Sequence, residues 1–296
     1  MRVTVHIPTA SAWLPERVAT LDRLLAQLEK QDCRPVVHRS MRREHASVWA
    51  VRVYEAVAAE DPDCAIILND DVQVAPDLIA AIHAVLQNPR HRLSRFLSLH
   101  AVHPMSRSLA EAGQRYFSTF HVTGPAYCHL RGTSREILAY YKEAPKAWTS
   151  KLHEDNVQIQ LAFRHREPVL NLIPALVVHD ESVPSSLGFD SHPNRVTKVP
   201  WTDPLFEGVD LTKGWEVPAQ VPFMETHWTQ TQTLLSQEIS NDLGVAPEAC
   251  WHCLERPAFF GSEKSGARMC GKCLSDAVNG CINEAMKNAM AMPRQQ

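Results

Sequence analysis

The sequence predicts an α/β domain built on a mainly parallel sheet flanked by helices, followed by a small C-terminal metal-binding module. Three observations carry that expectation. Strand-like and helix-like segments alternate up to about residue 180, a pattern that favours a mainly parallel sheet covered on both faces. The apolar run at residues 65 to 68 stops abruptly on Asn69, Asp70 and Asp71; ligands of such sheets bind beyond the carboxyl ends of the strands. Near the C-terminus, Cys250-x2-Cys253 and Cys270-x2-Cys273 form two close pairs separated by 16 residues.

The elements read as follows. "RVTVHI" alternates β-branched and polar residues and ends at Pro8, as a strand reaching a turn. "PERVATLDRLLAQLEKQ" puts Val18, Leu21, Leu24, Leu25 and Leu28 on one helical face. "RPVVHRS" is a second strand. "HASVWAVRVYEAVAAE" has Val48, Val51, Ala56 and Val57 near helical spacing. "CAIIL" is a third strand, and Pro76 with Asp77 opens the helix "DLIAAIHAVLQN". "RFLSLHAV" is a fourth strand. "GPAYCHLRGTSREILAYYKEA" joins a strand to a helix, "HEDNVQIQLAFRHR" is a further helix, and "PALVVHD" is a late strand. Residues 182 to 222 read as long loops over the site or as a connector. "METHWTQTQTLLSQEISNDLG" reads as a helix ending at Gly244.

Composition bounds the function. The chain has 296 residues, 45% of them hydrophobic, enough for one large domain and a small one. Lys and Arg total 30 against 33 Asp and Glu, a formal charge of -3. A nucleic-acid partner would therefore need a local basic patch. No window of 18 consecutive apolar residues occurs, so no membrane span is expected. "MRVTVHIPTA" lacks the apolar region of a signal peptide. The expected location is the cytoplasm, or the host cytoplasm if the chain is viral.

Each candidate residue has a chemical reason and a simpler alternative. Carboxylates at a strand end can hold a divalent cation, yet Asp70 and Asp71 could equally cap a turn. Glu154 and Asp155 open a helix, where acidic residues also answer the macrodipole. His179 ends "ALVVH" and suits either a metal or a structural role. Arg42, Arg43 and Arg52 precede the acidic strand end; they suit phosphate or a solvated face. The four paired cysteines have the spacing of a tetrahedral zinc site, and zinc would supply the folding energy of so small a module. Cys281 lies outside that spacing.

Five of these segments, in order, resemble the GT-A family of nucleotide-sugar glycosyltransferases. "VTVHIPT" looks like its opening strand, with Pro8 and Thr9 bordering the nucleotide. "IILNDDV" is similar to its DxD region, "TGPAYCHLRGTSREIL" to its acceptor-side segment, "LHEDNVQIQL" to the helix that begins with the catalytic base, and "PALVVHDES" to the late strand bringing a His to the metal. The resemblance covers roughly residues 3 to 185. It implies transfer of a sugar from a nucleotide-sugar donor to a hydroxyl, assisted by Mn or Mg and inverting. It assigns metal ligation to Asp71 and His179, an auxiliary role to Asp70, and the base to Asp155 with Glu154 beside it. Asn69 stands where the family often has its first Asp and can still hydrogen-bond a ribose. Arg43 would face phosphate. The expected organisation is residues 1–222 as the GT-A-like domain, 223–248 as a helical linker and 249–296 as a zinc-ribbon-like module with a C-terminal helix.

The acceptor is open. Some viral enzymes of this kind decorate modified DNA bases, and Lys264, Arg268 and Lys272 give the ribbon a mildly basic face, offset by Glu255 and Glu263. A structural or homo-oligomerising ribbon is the simpler use. Two rivals stand beside the transferase. One is a non-catalytic module that binds nucleic acid or protein on a degenerate transferase scaffold. The other is a nucleotidyltransferase, which would need a Gly-rich phosphate loop that does not follow the first strand.

Overall fold

Val3–Thr9 forms β1, and its β-branched residues suit a strand with neighbours on both sides. It runs parallel to β2 (Val36–Arg39) on one side and to β3 (Cys64–Leu68) on the other. Helix α1 (Glu16–Glu29) makes the first crossover and α2 (Ala46–Glu60) the second. The chain continues through β4 (Val72–Val74), α3 (Leu78–Gln87), β5 (Phe96–Ser98), α4 (Ser106–Glu111), β6 (Tyr116–Thr119) and β7 (Ala126–Leu130). Then come α5 (Thr133–Glu143), α6 (Glu154–His165), β8 (Val169–Leu172) and β9 (Val177–His179). The computed structural model describes residues 1–42, 46–88, 94–119, 124–143, 154–165, 167–183, 196–216, 221–222, 260–261 and 268–269. The chain divides into two compact units, Met1–Glu225 and Thr226–Gln296.

The main sheet has the order β2-β1-β3-β7-β5-β8-β6. Strands β1, β2, β3, β5 and β8 run one way, and β6 and β7 run against them. This is the mainly parallel, helix-flanked sheet that the GT-A resemblance implies. Strands β4 and β9 form a separate antiparallel ribbon.

Alternation along the strands gives the two sheet faces different chemistry. On one face Val5, Ile7, Cys64, Ile66, Leu68, Leu97, Cys128 and Leu170 pack with Leu21, Leu24 and Leu28 of α1 and with Leu78, Ile82 and Val85 of α3. The amides of Gln27 and Gln31 fix α1 to the next segment. Gln27 accepts from the Val74 amide, and Gln31 accepts from Ile79 and donates to the Ala75 carbonyl. The other face is partly polar. His129 sits among Tyr54, Tyr127 and Phe96, with ring centroids 5.1 to 5.5 Å away. Its Nε2 bonds Gln158 of α6 at 3.2 Å, and Gln158 donates to Tyr54 of α2 at 3.1 Å. Since the Gln158 amide oxygen accepts, His129 carries its proton on Nε2 and accepts at Nδ1 from Ser134 of α5 at 2.9 Å. One buried ring thus ties three helices to the sheet.

That ring has a measurable signature. Burial pushes the His129 imidazole down to about 3, against the opposing effect of the hydrogen bond it donates to Gln158. An unfolded His titrates near about 6.5. Below that value the unfolded chain binds a proton that the folded ring refuses, so stability falls as pH drops and the loss continues toward the folded value. Its slope is about 1.4 kcal/mol per pH unit. Unfolding free energies from urea titrations between pH 6.5 and 4.5 should therefore fall more steeply in the parent protein than in His129→Gln, by up to about that slope. Equal slopes would contradict a neutral buried ring.

Several elements differ from expectation. On α1 the buried residues are Arg17, Thr20, Leu21, Leu24 and Leu28, while Val18 faces out. On α2 the buried set is Ala50, Val53, Tyr54 and Val57, and Val48 is exposed. The late strand "ALVVH" belongs to the small ribbon; the main sheet takes "VLNL" instead, and also β6, which no periodicity announces. Part of the loop stretch joins the core: Leu211 and Trp215 are buried, and Trp215 donates to the Leu211 carbonyl at 2.6 Å.

In the second unit β10 (Phe260–Gly261) pairs antiparallel with β11 (Arg268–Met269). Cys250, Cys253, Cys270, Cys273 and Cys281, and residues 223–248, lie outside the described residues. No helix among the described residues is long and apolar enough to cross a membrane.

Candidate active site at the carboxyl end of the third strand

Strand β3 is buried along its whole length and ends where polar residues begin. The Asn69 amide donates to the Pro125 carbonyl at 2.9 Å, closing the last pairing with the β7 side. Asp70 and Asp71 follow in the turn, and Val72 starts the β4 ribbon. The ribbon's register sets Val72 opposite His179. Residues 108 positions apart thereby meet: His179 Nε2 lies 2.9 Å from Asp71 Oδ2. The Asp180 amide donates to the Asp71 carbonyl at 2.7 Å, locking the same corner.

Both carboxylates are buried, at 3% and 4% exposure. Asp70 is fully engaged. Its Oδ2 accepts from the Thr9 hydroxyl at 2.6 Å and the Ala10 amide at 3.0 Å, and its Oδ1 from Arg17 at 2.7 Å. Asp70 therefore joins the end of β1 to the end of β3. The same Arg17 nitrogen lies 2.6 Å from Asp71 Oδ2. Asp71 Oδ1 is buried with no hydrogen-bond partner. His179 is held on its other side by Glu181, 2.9 Å from Nδ1.

Electrostatics separates the two carboxyls. Burial pushes Asp70 up, and Arg17, Thr9 and Ala10 offset only part of that. Burial acts upward on Asp71 as well, but the His179 hydrogen bond and charge, with Arg17, reverse it and hold Asp71 below the usual carboxylate range. For His179, burial acts downward, and the bonds to Asp71 and Glu181 outweigh it, so its value is raised. His100, whose ring centroid is 6.4 Å from that of His179, is fully buried and pushed down to about 3, first by burial and then by His179. It is a neutral ring behind the site, bonded through Nε2 to Thr197 at 2.8 Å.

The structure brings Pro8, Thr9, Asn69, Asp70, Asp71 and His179 to one corner. Pro8 lies opposite His38, beyond the last register pair of β1 with β3, where its missing N–H is tolerated. Asn69 is half-buried. Glu154 and Asp155 are the first two residues of α6; their side chains lie outside the description, as does Arg43 altogether. Arg17 also belongs to this corner, and the sequence reading did not place it there. Its signal was present: 17, 21, 24 and 28 share one helical face, so an Arg stands on the core side of α1. Glu181, as partner of His179, and Arg23, which pairs with Asp180 at 2.5 Å, were also missed.

The donor set fits a hard divalent cation. An unpartnered carboxylate oxygen on Asp71 would supply one ligand, and His179 a second through Nε2 once that nitrogen gives up its bond to Asp71 Oδ2. Mg-type sites use one or two carboxylates, with phosphates and waters completing the shell. Glu181 on the far nitrogen of His179 is the partner that orients a ligating imidazole. Among the described residues no group of three or more His, Cys, Asp and Glu gathers to hold a cation.

No protein-family model matches the chain, and no curated protein matches its sequence. Among solved structures it is similar to that of A197 from STIV, with 17% identity over 68% of this chain and 94% of that one, and a TM-score of 0.40. It is also similar to a glycosyltransferase involved in the glycosylation of the major capsid of PBCV-1, with 12% identity, 60% and 92% coverage and a TM-score of 0.33. A third is a putative glucose-1-phosphate thymidylyltransferase from Bacillus anthracis, with 10% identity, 60% and 89% coverage and a TM-score of 0.35. These likenesses are distant.

Proposed function

We propose that the first unit transfers a sugar from a nucleotide-sugar donor to a hydroxyl acceptor, with inversion. The observation that supports this most is the buried, partnerless Oδ1 of Asp71 beside His179, at the carboxyl end of a central parallel strand. Loss of a nucleoside diphosphate builds negative charge on its phosphate oxygens, and a bound Mn or Mg ion would neutralise that charge. Asp71 and His179 would hold the ion, with Glu181 fixing the imidazole. Asp70 keeps the Thr9–Ala10 turn in place, so the backbone bordering the nucleotide is rigid before the donor arrives. Asn69 would hydrogen-bond the ribose and Arg43 would face phosphate. Asp155, with Glu154 beside it, would take the proton of the attacking hydroxyl. The four paired cysteines would hold a structural zinc. A modified nucleic-acid base is one acceptor that this reading admits.

The test is donor hydrolysis without acceptor. The full chain is incubated with a panel of nucleotide-sugars and Mn or Mg, and the released nucleoside diphosphate is measured. Slow, chelator-sensitive release from one donor over its peers is expected. Pyrophosphate release from a nucleoside triphosphate and a sugar phosphate would instead make the protein a nucleotidyltransferase. Inertness in both assays, with nucleic acid or another protein bound, would make it a binding module. Separately, metal analysis should find about one zinc per chain, lost in Cys250→Ser; a zinc-free parent protein would remove the ribbon.

A further inference from the structure

The guanidinium of Arg17 raises a question that the proposed chemistry leaves open. A cation site normally gathers negative charge, yet here a permanent positive charge, 3% exposed, lies 2.7 Å from Asp70 and 2.6 Å from Asp71 through a single nitrogen. Arg17 occupies Asp70 Oδ1 and shares Asp71 Oδ2 with His179. The remaining oxygen of Asp70 is taken by Thr9 and Ala10. Of the four carboxylate oxygens, Asp71 Oδ1 alone has no partner.

We infer that Arg17 is a resident counter-cation which keeps this site too weakly charged to hold a divalent ion by itself, so that metal and nucleoside diphosphate bind only as a pair. With Asp70 and Asp71 ionised, Arg17 makes the charge that the corner presents to an incoming cation one unit less negative, on top of the His179 imidazole shared between Asp71 and Glu181. A guanidinium cannot be deprotonated in a protein, so that reduction is permanent. The diphosphate supplies the missing negative charge and the further oxygen ligands. The bonded oxygens add a geometric reason: Asp71 Oδ1 is open, whereas both oxygens of Asp70 already accept hydrogen bonds. Arg17 is thus a positioning residue that couples the two ligands, and it is not itself a ligand of the metal. The inference rests on the cation role proposed for Asp71.

The probe is Mn alone, titrated into the full chain by calorimetry and by the electron paramagnetic signal of free Mn. The parent protein should bind Mn weakly without nucleotide and at least tenfold more tightly with a nucleoside diphosphate present. Arg17→Gln should bind Mn alone at least tenfold more tightly than the parent, with less gain from nucleotide. Because Arg17→Gln strands two buried carboxylates and is liable to misfold, the comparison is repeated in Asp70→Asn. There, removing Arg17 leaves a single carboxylate and no unpaired cation, and Arg17→Gln/Asp70→Asn should exceed Asp70→Asn in Mn affinity by a similar factor. Unchanged or weaker Mn binding on loss of Arg17, in both backgrounds, would overturn the inference. The Mn-alone arm stands even if no nucleotide-sugar proves to be a donor, so failure of the proposed reaction and failure of this coupling are read from different experiments.

Discussion

Asp71→Asn should lower turnover at saturating donor by about 10²- to 10³-fold, the scale on which one preorganised electrostatic contact to a developing charge acts. The substitution keeps the size and one carbonyl oxygen of the side chain. Asn can still accept from Arg17 or His179 at that oxygen, and Asp70 keeps its own pairing with Arg17. The backbone bond from the Asp180 amide to the Asp71 carbonyl is untouched. The corner should therefore remain folded while losing the charge that would hold a cation against the departing diphosphate. Steady-state kinetics together with a melting curve checks both halves. An Asp71→Asn enzyme with parental turnover, insensitive to chelator, would exclude a metal-assisted departure at this residue.

Asp155→Asn should cut turnover by about 10²-fold or more while leaving donor affinity near that of the parent. The group needed here takes a proton from the acceptor hydroxyl as it attacks, and an amide cannot accept that proton. Asp155 is the second residue of α6. Three residues on, Gln158 is fully buried and fastened to His129 and Tyr54. The helix backbone is thus fastened one turn from its start. Rates measured across pH should also lose the limb that reports deprotonation of the base. Donor affinity that collapses while turnover at saturation stays normal would make Asp155 a binding residue instead.

The elements with strong local signals were legible in the sequence. "CAIIL" is a continuous apolar run of strand length, and it became the fully buried β3. The carboxylates that end it could be placed at a ligand-facing strand end because parallel sheets put their sites there. Legibility failed where the determining contact is long-range. β6 and β8 are short strands of the main sheet, and their pairing depends on tertiary register more than on periodicity. The β4–β9 ribbon is three pairs long, yet that register alone carries His179 to Asp71. The sequence could name the histidine but not the ribbon that delivers it. Arg17 shows the converse. Its helical position was readable, but assigning Val18 to the buried face turned α1 by one residue and hid a charged side chain on the core side. The network around His129 was also invisible, because a lone His in "AYCHL" gives no hint of Gln158, Tyr54 and Ser134 converging on it.

The proposed chemistry requires the Asp70–Asp71 corner to receive a nucleoside diphosphate together with a divalent cation. Calorimetry on the full chain, with the nucleoside diphosphate of the preferred donor titrated in the presence and absence of Mn, tests it most directly. Mn should tighten nucleotide binding at least tenfold in the parent protein, and Asp71→Asn should remove this gain while keeping a cooperative melting transition. Equal nucleotide affinity with and without Mn in the parent protein, or the full Mn gain retained in Asp71→Asn, would contradict it.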